Sequence, residues 1–355
     1  GADNVAVGKG ALTANTTGAE NIAVGSGVLT ANTAGANNIG VGDRALLANT
    51  TGDCTVAIGY KALAANTTAD FNIGIGACSS LANTTGTANV AMGAFSLFTS
   101  TTGDNNVAIG HDALFCNNGS AADCNTAVGF KAMCKNTTGI NNAAIGISAM
   151  QENTTGADNA AVGRRSLIAN TTGLRNVAVG SLALDANTTG DDHTAVGMDA
   201  LGDMTTGGCN TGLGRYAGSE ITTGSNNSAI GFNAQASAVD ATNEVTLGDG
   251  NINNLRCNDT SISGLSDERD KKNIEDIPHG LEYILALRPV KFDWNTRDGT
   301  RKGKKDYGFI AQELDKVETD FGSAEYTRLV HKDNPEKWEA DVMKTYPILI
   351  KAIQE

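Results

Sequence analysis

Ser266 and Lys271 are the residues whose types and spacing best match a catalytic pair. A lysine amine that has lost its proton, as desolvation favours, can accept the hydroxyl proton of a nearby serine and turn its oxygen into a nucleophile. Such Ser-Lys pairs replace Ser-His-Asp in some peptidases. Serine and lysine are both common, so on residue types alone a polar turn in solvent explains the pair equally well.

Ring size limits which peptide bond this serine can attack. Attack by the Ser266 hydroxyl on its own carbonyl requires a strained four-membered ring, whereas attack on the Leu265 carbonyl requires a five-membered one. Attack on another chain has no such limit. Two bonds therefore remain open, Ser266-Asp267 and Leu265-Ser266.

Four sequence segments, the first of which contains this pair, together form a recognisable pattern. They read SDERDKKNI from Ser266, GLEYILALRPVKFDWN from Gly280, YGFIAQEL from Tyr307 and YPILIKAIQE from Tyr346. Over about 90 residues, and in this order, they resemble the peptidase S74 intramolecular chaperone domain of phage endosialidases, tail fibres and spikes.

The resemblance implies roles for single residues. In the family motif S-D-x-R-x-K the serine is the nucleophile and the lysine its base, which correspond to Ser266 and Lys271, while Asp267 and Arg269 match the supporting positions. It also implies that the chain is cut once, between Ser266 and Asp267, with Leu265-Ser266 as the alternative. His279 lies close in the sequence, but a histidine between Pro278 and a glycine is typical of an exposed loop.

The hydrophobic pattern after residue 280 predicts the elements that carry this segment. Leu281, Ile284 and Leu285 are spaced for a short amphipathic helix that ends before Pro289. Val290, Phe292 and Trp294 alternate as a strand. A last apolar stretch from Ile348 to Ile353 predicts a helix that relatives continue as a coiled coil.

Residues 1–265 have a different organisation, a repeat of 17 residues. Each copy reads approximately N-[VI]-A-[VI]-G-x-x-A-L-x-x-N-T-T-G-x-x. The fixed glycine occurs fifteen times, with a single 19-residue spacing between Gly110 and Gly129, at the following positions: Gly8, Gly25, Gly42, Gly59, Gly76, Gly93, Gly110, Gly129, Gly146, Gly163, Gly180, Gly197, Gly214, Gly231 and Gly248. A repeat of this kind predicts stacked coils that share one core, with a rise of about 4.8 Å per coil.

The side chains of each copy indicate which parts face inward. The residue before the fixed glycine is aliphatic in every copy, and the residue two places earlier is usually Val or Ile, which predicts a strand with its large-residue face in a core. The small residue between them predicts a second face that another wall of the coil, or a neighbouring chain, approaches closely. The asparagine that opens most copies predicts a ladder of amide hydrogen bonds, with His193 as a tolerated substitute. N-T-T-G predicts a turn, because Asn and Thr can bond the local backbone and Gly tolerates positive φ. The two variable residues after the fixed glycine are expected in solvent.

The N-x-A-x-G phrase is similar to the head repeats of trimeric autotransporter adhesins of the YadA type, which are trimeric left-handed β-rolls. The predicted fold is therefore mainly β. It comprises a β-solenoid or β-roll over 1–265, expected as a homotrimer, followed by a small α+β chaperone domain over 266–355 that leads into a C-terminal helix or coiled coil.

Composition excludes several functions. Residues 1–265 hold ten Lys/Arg against twenty Asp/Glu and residues 266–355 hold sixteen against nineteen, so neither part has the basic surface that nucleic acid requires. The sequence contains neither a run of about 20 apolar residues nor a leader pattern, so neither membrane insertion nor secretion is expected from it. No cofactor motif is present. The seven cysteines form no CxxC pair, which argues against a metal site and favours buried reduced thiols, with a Cys116–Cys124 bridge as the alternative.

Together these features predict a virion tail-fibre or spike shaft, assembled in the host cytoplasm, whose chaperone domain trimerises the chains and then removes itself. A host surface receptor or glycan is the expected external partner. The alternatives are a cellular adhesin on a bacterial surface, a glycan-degrading spike and a solenoid that binds ice or mineral. The repeats contain no carboxylate pair at a fixed place, which disfavours glycan hydrolysis.

Overall fold

The computed structural model describes residues 1–117, 122–252, 254–256, 266–296, 302–332 and 338–355. The chain divides into two compact units, Gly1–Gly248 and Asp249–Glu355, and the division falls where the coils end. Among the described residues no helix combines the length and apolarity needed to cross a bilayer.

The first unit is a β-solenoid in which each repeat forms one coil with one three-residue strand. All fifteen strands lie in one parallel sheet in sequence order, each residue pairing with its equivalent in the next coil. They are β1 to β15: Val5–Val7, Ile22–Val24, Ile39–Val41, Val56–Ile58, Ile73–Ile75, Val90–Met92, Val107–Ile109, Thr126–Val128, Ala143–Ile145, Ala160–Val162, Val177–Val179, Thr194–Val196, Thr211–Leu213, Ser228–Ile230 and Val245–Leu247. The predicted mainly β fold of stacked 17-residue coils is confirmed. The two extra residues of the long repeat fall between Asn117 and Ala122, and the register continues across them as Val107 with Thr126.

The orientation predicted for the strand side chains is wrong. The central alanine or glycine of β2 to β14 is the buried residue, and the residues on either side of it, among them the Val and Ile of the prediction, point outward. The interior is filled instead by this small residue and by an Ala-Leu pair from the opposite wall, such as Ala45 and Leu46, both 0% exposed. A coil of 17 residues encloses a narrow space, so small side chains on one wall make room for leucine on the other.

The predicted asparagine ladder is confirmed. Asn38 shows the pattern: its backbone N–H donates to Asn21 Oδ1 at 3.0 Å and its Nδ2 donates to Gly52 O at 2.8 Å. His193 continues the ladder, because the Asn210 backbone N–H donates to its Nδ1 at 3.2 Å. A ladder of this kind satisfies polar groups that the coil turns would otherwise bury without partners.

A second ladder runs through the asparagine of each N-T-T-G turn, and the sequence analysis did not identify it. Asn49 Nδ2 donates to Asn32 Oδ1 at 3.0 Å and to Gly52 O at 3.0 Å. The next threonine of the turn adds a third row, in which Thr50 Oγ1 donates to Thr67 O at 3.0 Å. The turn is therefore held by contacts between coils as well as within them.

Positive φ occurs at the fixed glycine after each strand and not at the glycine of the N-T-T-G turn, contrary to the prediction. From Gly8 to Gly231 the fixed glycine has φ between 115° and 142°. The turn glycine is required for space, since a Cβ at Gly35 would lie 2.5 Å from both Asn32 Oδ1 and Gly52 O. The variable positions after the fixed glycine are in solvent, as expected, for example Arg164 and Arg165.

The cysteine predictions are also corrected. The six cysteines among the described residues are free and none is buried, so neither buried thiols nor a Cys116–Cys124 bridge is found. Partial burial raises the pKa of Cys134 to about 11, with smaller contributions from Cys116 and Asp112, which keeps this thiol protonated. Cys257 lies outside the described residues.

The second unit is a small α/β domain. Its elements are, in chain order, α1 (Leu281–Ala286), β16 (Val290–Asp293), β17 (Lys305–Gly308), α2 (Ala311–Asp320), α3 (Ala324–Thr327), β18 (Val330–His331), β19 (Glu339–Ala340) and α4 (Tyr346–Gln354). Two 3-10 turns lie at Glu268–Asp270 and Val342–Thr345. β16 pairs antiparallel with β17, and β18 with β19. The predicted helices after Gly280 and near the C-terminus, and the strand at Val290, are confirmed.

Of the four side chains at the core of this domain, only Ile348 was singled out from the sequence. Tyr283, Leu314, Leu329 and Ile348 are buried together. In α1 the buried residue is Tyr283. Leu285 is 74% exposed, although its spacing predicted that it would face the core. This domain therefore presents an apolar helix surface outward.

Candidate functional site

A short turn brings the two candidate residues together. Asp267 is the N-cap of the 3-10 turn Glu268–Asp270, because its Oδ1 accepts the Arg269 backbone N–H at 2.9 Å. Lys271 ends the turn, with its backbone N–H donating to Glu268 O at 3.1 Å. An aspartate cap of this kind stabilises the start of a helical turn. The turn thus places residues five apart on the same side.

Ser266 and Lys271 are in direct contact. Lys271 Nζ donates to Ser266 Oγ at 2.8 Å and to Ser266 O at 3.2 Å. Both residues are exposed. The carbonyl that Lys271 touches belongs to the Ser266-Asp267 peptide bond, so the lysine reaches both the candidate nucleophile and a candidate scissile carbonyl. Leu265, which supplies the carbonyl of the alternative bond, lies outside the described residues.

Asp267 and Arg269 form an ion pair beside this contact. Arg269 Nε donates to Asp267 Oδ1 at 3.0 Å and Arg269 Nη2 donates to Asp267 Oδ2 at 2.6 Å. The hydrogen bonds from Arg269 lower the pKa of the Asp267 carboxyl, which keeps it ionised. Asp267 therefore holds the turn and is not available as a proton donor at neutral pH. Its role as a cap can be read from an aspartate at the start of a polar turn, a signal that the sequence analysis passed over.

His279 has a separate set of partners. Its Nδ1 lies 2.6 Å from Glu282 Oε1, and its ring packs edge-on against Phe321 with centroids 5.1 Å apart. These contacts join the start of α1 to the end of α2 and give the histidine a structural role in the domain.

One comparison with known proteins identifies this segment. No curated protein and no solved structure matched the chain. A family model does match, over residues 266–323, and the family is Peptidase S74, described as chaperone of endosialidase. The match begins at Ser266 and includes the turn, α1, β16, β17 and α2, while the coils lie outside it. C-terminal to its β-solenoid in the sequence, the chain therefore carries a Peptidase S74 chaperone-of-endosialidase domain at residues 266–323.

Proposed function

We propose that this chain is the shaft of a homotrimeric viral tail fibre or spike. Its C-terminal domain aligns three chains and is then released by a single Ser266–Lys271 autoproteolysis. The observation that carries the proposal is the 2.8 Å contact between Lys271 Nζ and Ser266 Oγ at the first residue of the matched segment.

The chemistry is an acyl transfer to serine followed by hydrolysis. The neutral lysine amine accepts the hydroxyl proton as Ser266 Oγ bonds to the scissile carbonyl carbon, and the lysine then returns that proton to the departing amine. Water hydrolyses the resulting ester and restores the serine. The favoured bond is Ser266-Asp267, the bond that the resemblance to the S-D-x-R-x-K motif implies. Because Ser266 cannot reach its own carbonyl, the attacking serine comes from another copy of the chain.

Because the Ser266–Lys271 pair is exposed in a single chain, cleavage is expected only after the chains have assembled. Both residues are open to solvent in one chain, and burial is what favours the neutral amine that the reaction needs. Other copies of the chain supply that burial when the domains associate. The cut therefore follows trimerisation, and it leaves a product that cannot readily refold, which makes its stability kinetic.

The solenoid itself explains why a chaperone is needed. Every strand pairs with the next in the same register, residue with equivalent residue. A chain that slips by one coil against its neighbour therefore keeps almost all of its contacts. A separate domain that fixes where the chains start removes this ambiguity.

Host attachment is proposed for the variable outward positions of the coils. The residue after the fixed glycine is exposed and includes Tyr60, Phe130 and Phe232. Exposed aromatic side chains of this kind are frequent in recognition surfaces. A receptor or glycan on the host surface is the proposed partner.

Denaturing electrophoresis of the expressed chain tests the proposal. Wild type should yield a fragment of about 90 residues that begins at Asp267, as determined by mass spectrometry. Ser266→Ala and Lys271→Ala should abolish it, because each removes one partner of the contact. Lys272→Ala is the matched control, an exposed lysine one residue on, and should be cut normally. A fragment from Ser266→Ala, or none from wild type, refutes the dyad.

A further inference from the structure

The outward face of the solenoid sheet carries two columns of side chains that we call the aliphatic face. It consists of the first and third residue of each strand, on either side of the buried central residue. In the third-residue column, the exposed members within β2 to β14 retain between 36% and 43% of their accessible surface although they stack on neighbours above and below: Val24, Ile58, Met92, Ile109, Ile145, Val162, Val179, Val196, Leu213 and Ile230.

The fifteen repeats act as an internal alignment of this face. The third-residue column is Val, Ile, Leu or Met in every coil. The first-residue column is Val or Ile in nine coils and Ala, Thr or Ser in the other six, and neither column contains a charged residue. Two residues further along, the exposed position after the fixed glycine holds Lys9, Asp43, Phe130, Arg164 and others without restriction. A position in water tolerates such variety. A position that excludes every polar residue across fifteen copies, yet is exposed in the single chain, is covered in the functional protein.

The size of the face is that of a specific interface. Fifteen strands at about 4.8 Å per coil extend about 70 Å, and two columns separated by about 7 Å make a strip roughly 10 Å wide, or about 700 Å². Soluble monomers rarely expose a contiguous apolar patch above about 300–600 Å². A standard interface buries about 800 Å² on each partner. The aliphatic face therefore matches one partner's share.

We infer that the aliphatic face is the surface through which copies of this chain pack, parallel and in the same register, and this rests on the trimer of the proposed function. The occupant is a second copy, because only a partner with the same coil spacing can match the columns over their full length. The absence of charge in both columns allows like faces to meet without repulsion. The matched chaperone domain, at the same end of every chain, supplies the parallel alignment.

Two isoleucines on either side of Gly146 make a matched test. Ile145 belongs to the aliphatic face and is 43% exposed, and Ile147 occupies the variable position and is 55% exposed. In an isolated chain, glutamate at either site would be equally harmless. In the proposed assembly, Ile145→Glu places a carboxylate from each copy in an apolar interface, while Ile147→Glu leaves every carboxylate in water.

The full-length protein is expressed with each substitution, and the mass of the shaft is measured by light scattering. Wild type and Ile147→Glu should give three copies, and Ile145→Glu should lose the three-copy species. Since Ile145→Glu could fail to fold, Ile145→Cys and Ile147→Cys are compared by oxidation and non-reducing electrophoresis. Only Ile145→Cys should add a covalent dimer to the wild-type pattern. Equal behaviour of the two sites, or a monomeric wild-type shaft, overturns the inference. If the autoproteolysis fails, the chain stays uncut, but its mass by light scattering still shows whether copies associate through the aliphatic face.

Discussion

Replacing Ser100 with asparagine should strengthen the solenoid, because it repairs a break in the second asparagine ladder. The equivalent residues of the neighbouring coils are Asn83 and Asn117, and each is buried. Serine is too short to continue the ladder, so Ser100 Oγ and Asn83 Oδ1 are buried without hydrogen-bond partners. In intact coils the asparagine reaches both the preceding amide oxygen and the glycine carbonyl three residues on, which here is Gly103.

The size of the effect follows from the two unpartnered atoms. Leaving a buried polar atom unsatisfied costs about 1–3 kcal/mol, and Ser100→Asn satisfies Asn83 Oδ1 while supplying its own partners. Allowing for the larger side chain, the expected gain is about 1–3 kcal/mol, equivalent to a roughly five- to 150-fold smaller population of the locally open state. Hydrogen exchange measures this locally at the backbone amides of Thr84, which donates to Thr101 O, and Thr99, which donates to Phe115 O. This suits a solenoid because its coils can open in segments.

Ser100→Ala is the control. It removes the unpartnered hydroxyl but leaves Asn83 Oδ1 unsatisfied, so its protection should rise much less than that of Ser100→Asn. If the two variants protect the amides equally, or if asparagine weakens protection, the ladder is not a source of stability at this coil.

Two further substitutions probe other irregular coils. Ser80 stands where other coils have the inner-wall leucine, its Oγ is buried without a partner, and the apolar core is divided between Leu63 and Ala91. Ser80→Leu should join the two parts of the core, stabilise the fold by about 1.5–3 kcal/mol and so raise the unfolding temperature. An unchanged or lower unfolding temperature would count against this prediction. Burial lowers the pKa of His193, so the unfolded chain binds the proton more readily and the stability present above about pH 6.5 is lost as pH falls towards the folded pKa. His193→Asn should therefore reduce the fall in unfolding temperature between pH 7.5 and pH 5, and an identical fall would show that another group is responsible.

The periodicity of the shaft could be predicted because each coil repeats one solution to the same packing problem. The fixed glycine, the strand and the first asparagine ladder all followed from the 17-residue spacing. The alternation of large and small residues along a strand does not show which of its two faces points into the coil. Val-Ala-Val was interpreted with the valines inside, as in ordinary sheets, whereas the narrow coil has room only for alanine. The exposure of these valines, on which the proposed interface rests, is known only from the structure.

Some features of the coil could not be predicted from residue types. Leu29 and Leu46 adopt φ of 50°, a left-handed conformation that leucine rarely takes, and they do so because the corner of the coil requires it and the buried side chain is held by the core. The N-T-T-G motif predicts the turn glycine, but available space and not φ is what requires glycine at this position. In each case the cause is a contact with the next coil, which lies 17 residues away in sequence.

The proximity of Ser266 and Lys271 was easier to predict than the structure around them. Spacing and family resemblance singled out Ser266 and Lys271, and the structure places them in contact. The local reason, an Asp267 cap that closes the turn, depends on backbone geometry. The outward orientation of Leu285 also escaped the helical pattern, because the side chain that fills the core is the neighbouring Tyr283. Aromatic residues can displace leucine from a small core since each fills more volume.

The most direct test of the whole account is the mass of the shaft after the C-terminal fragment has been released, measured on the same wild-type protein that shows the cut and compared with uncut Ser266→Ala. The account predicts three shaft chains that remain together once the fragment is gone. A released shaft with the mass of one chain would contradict it.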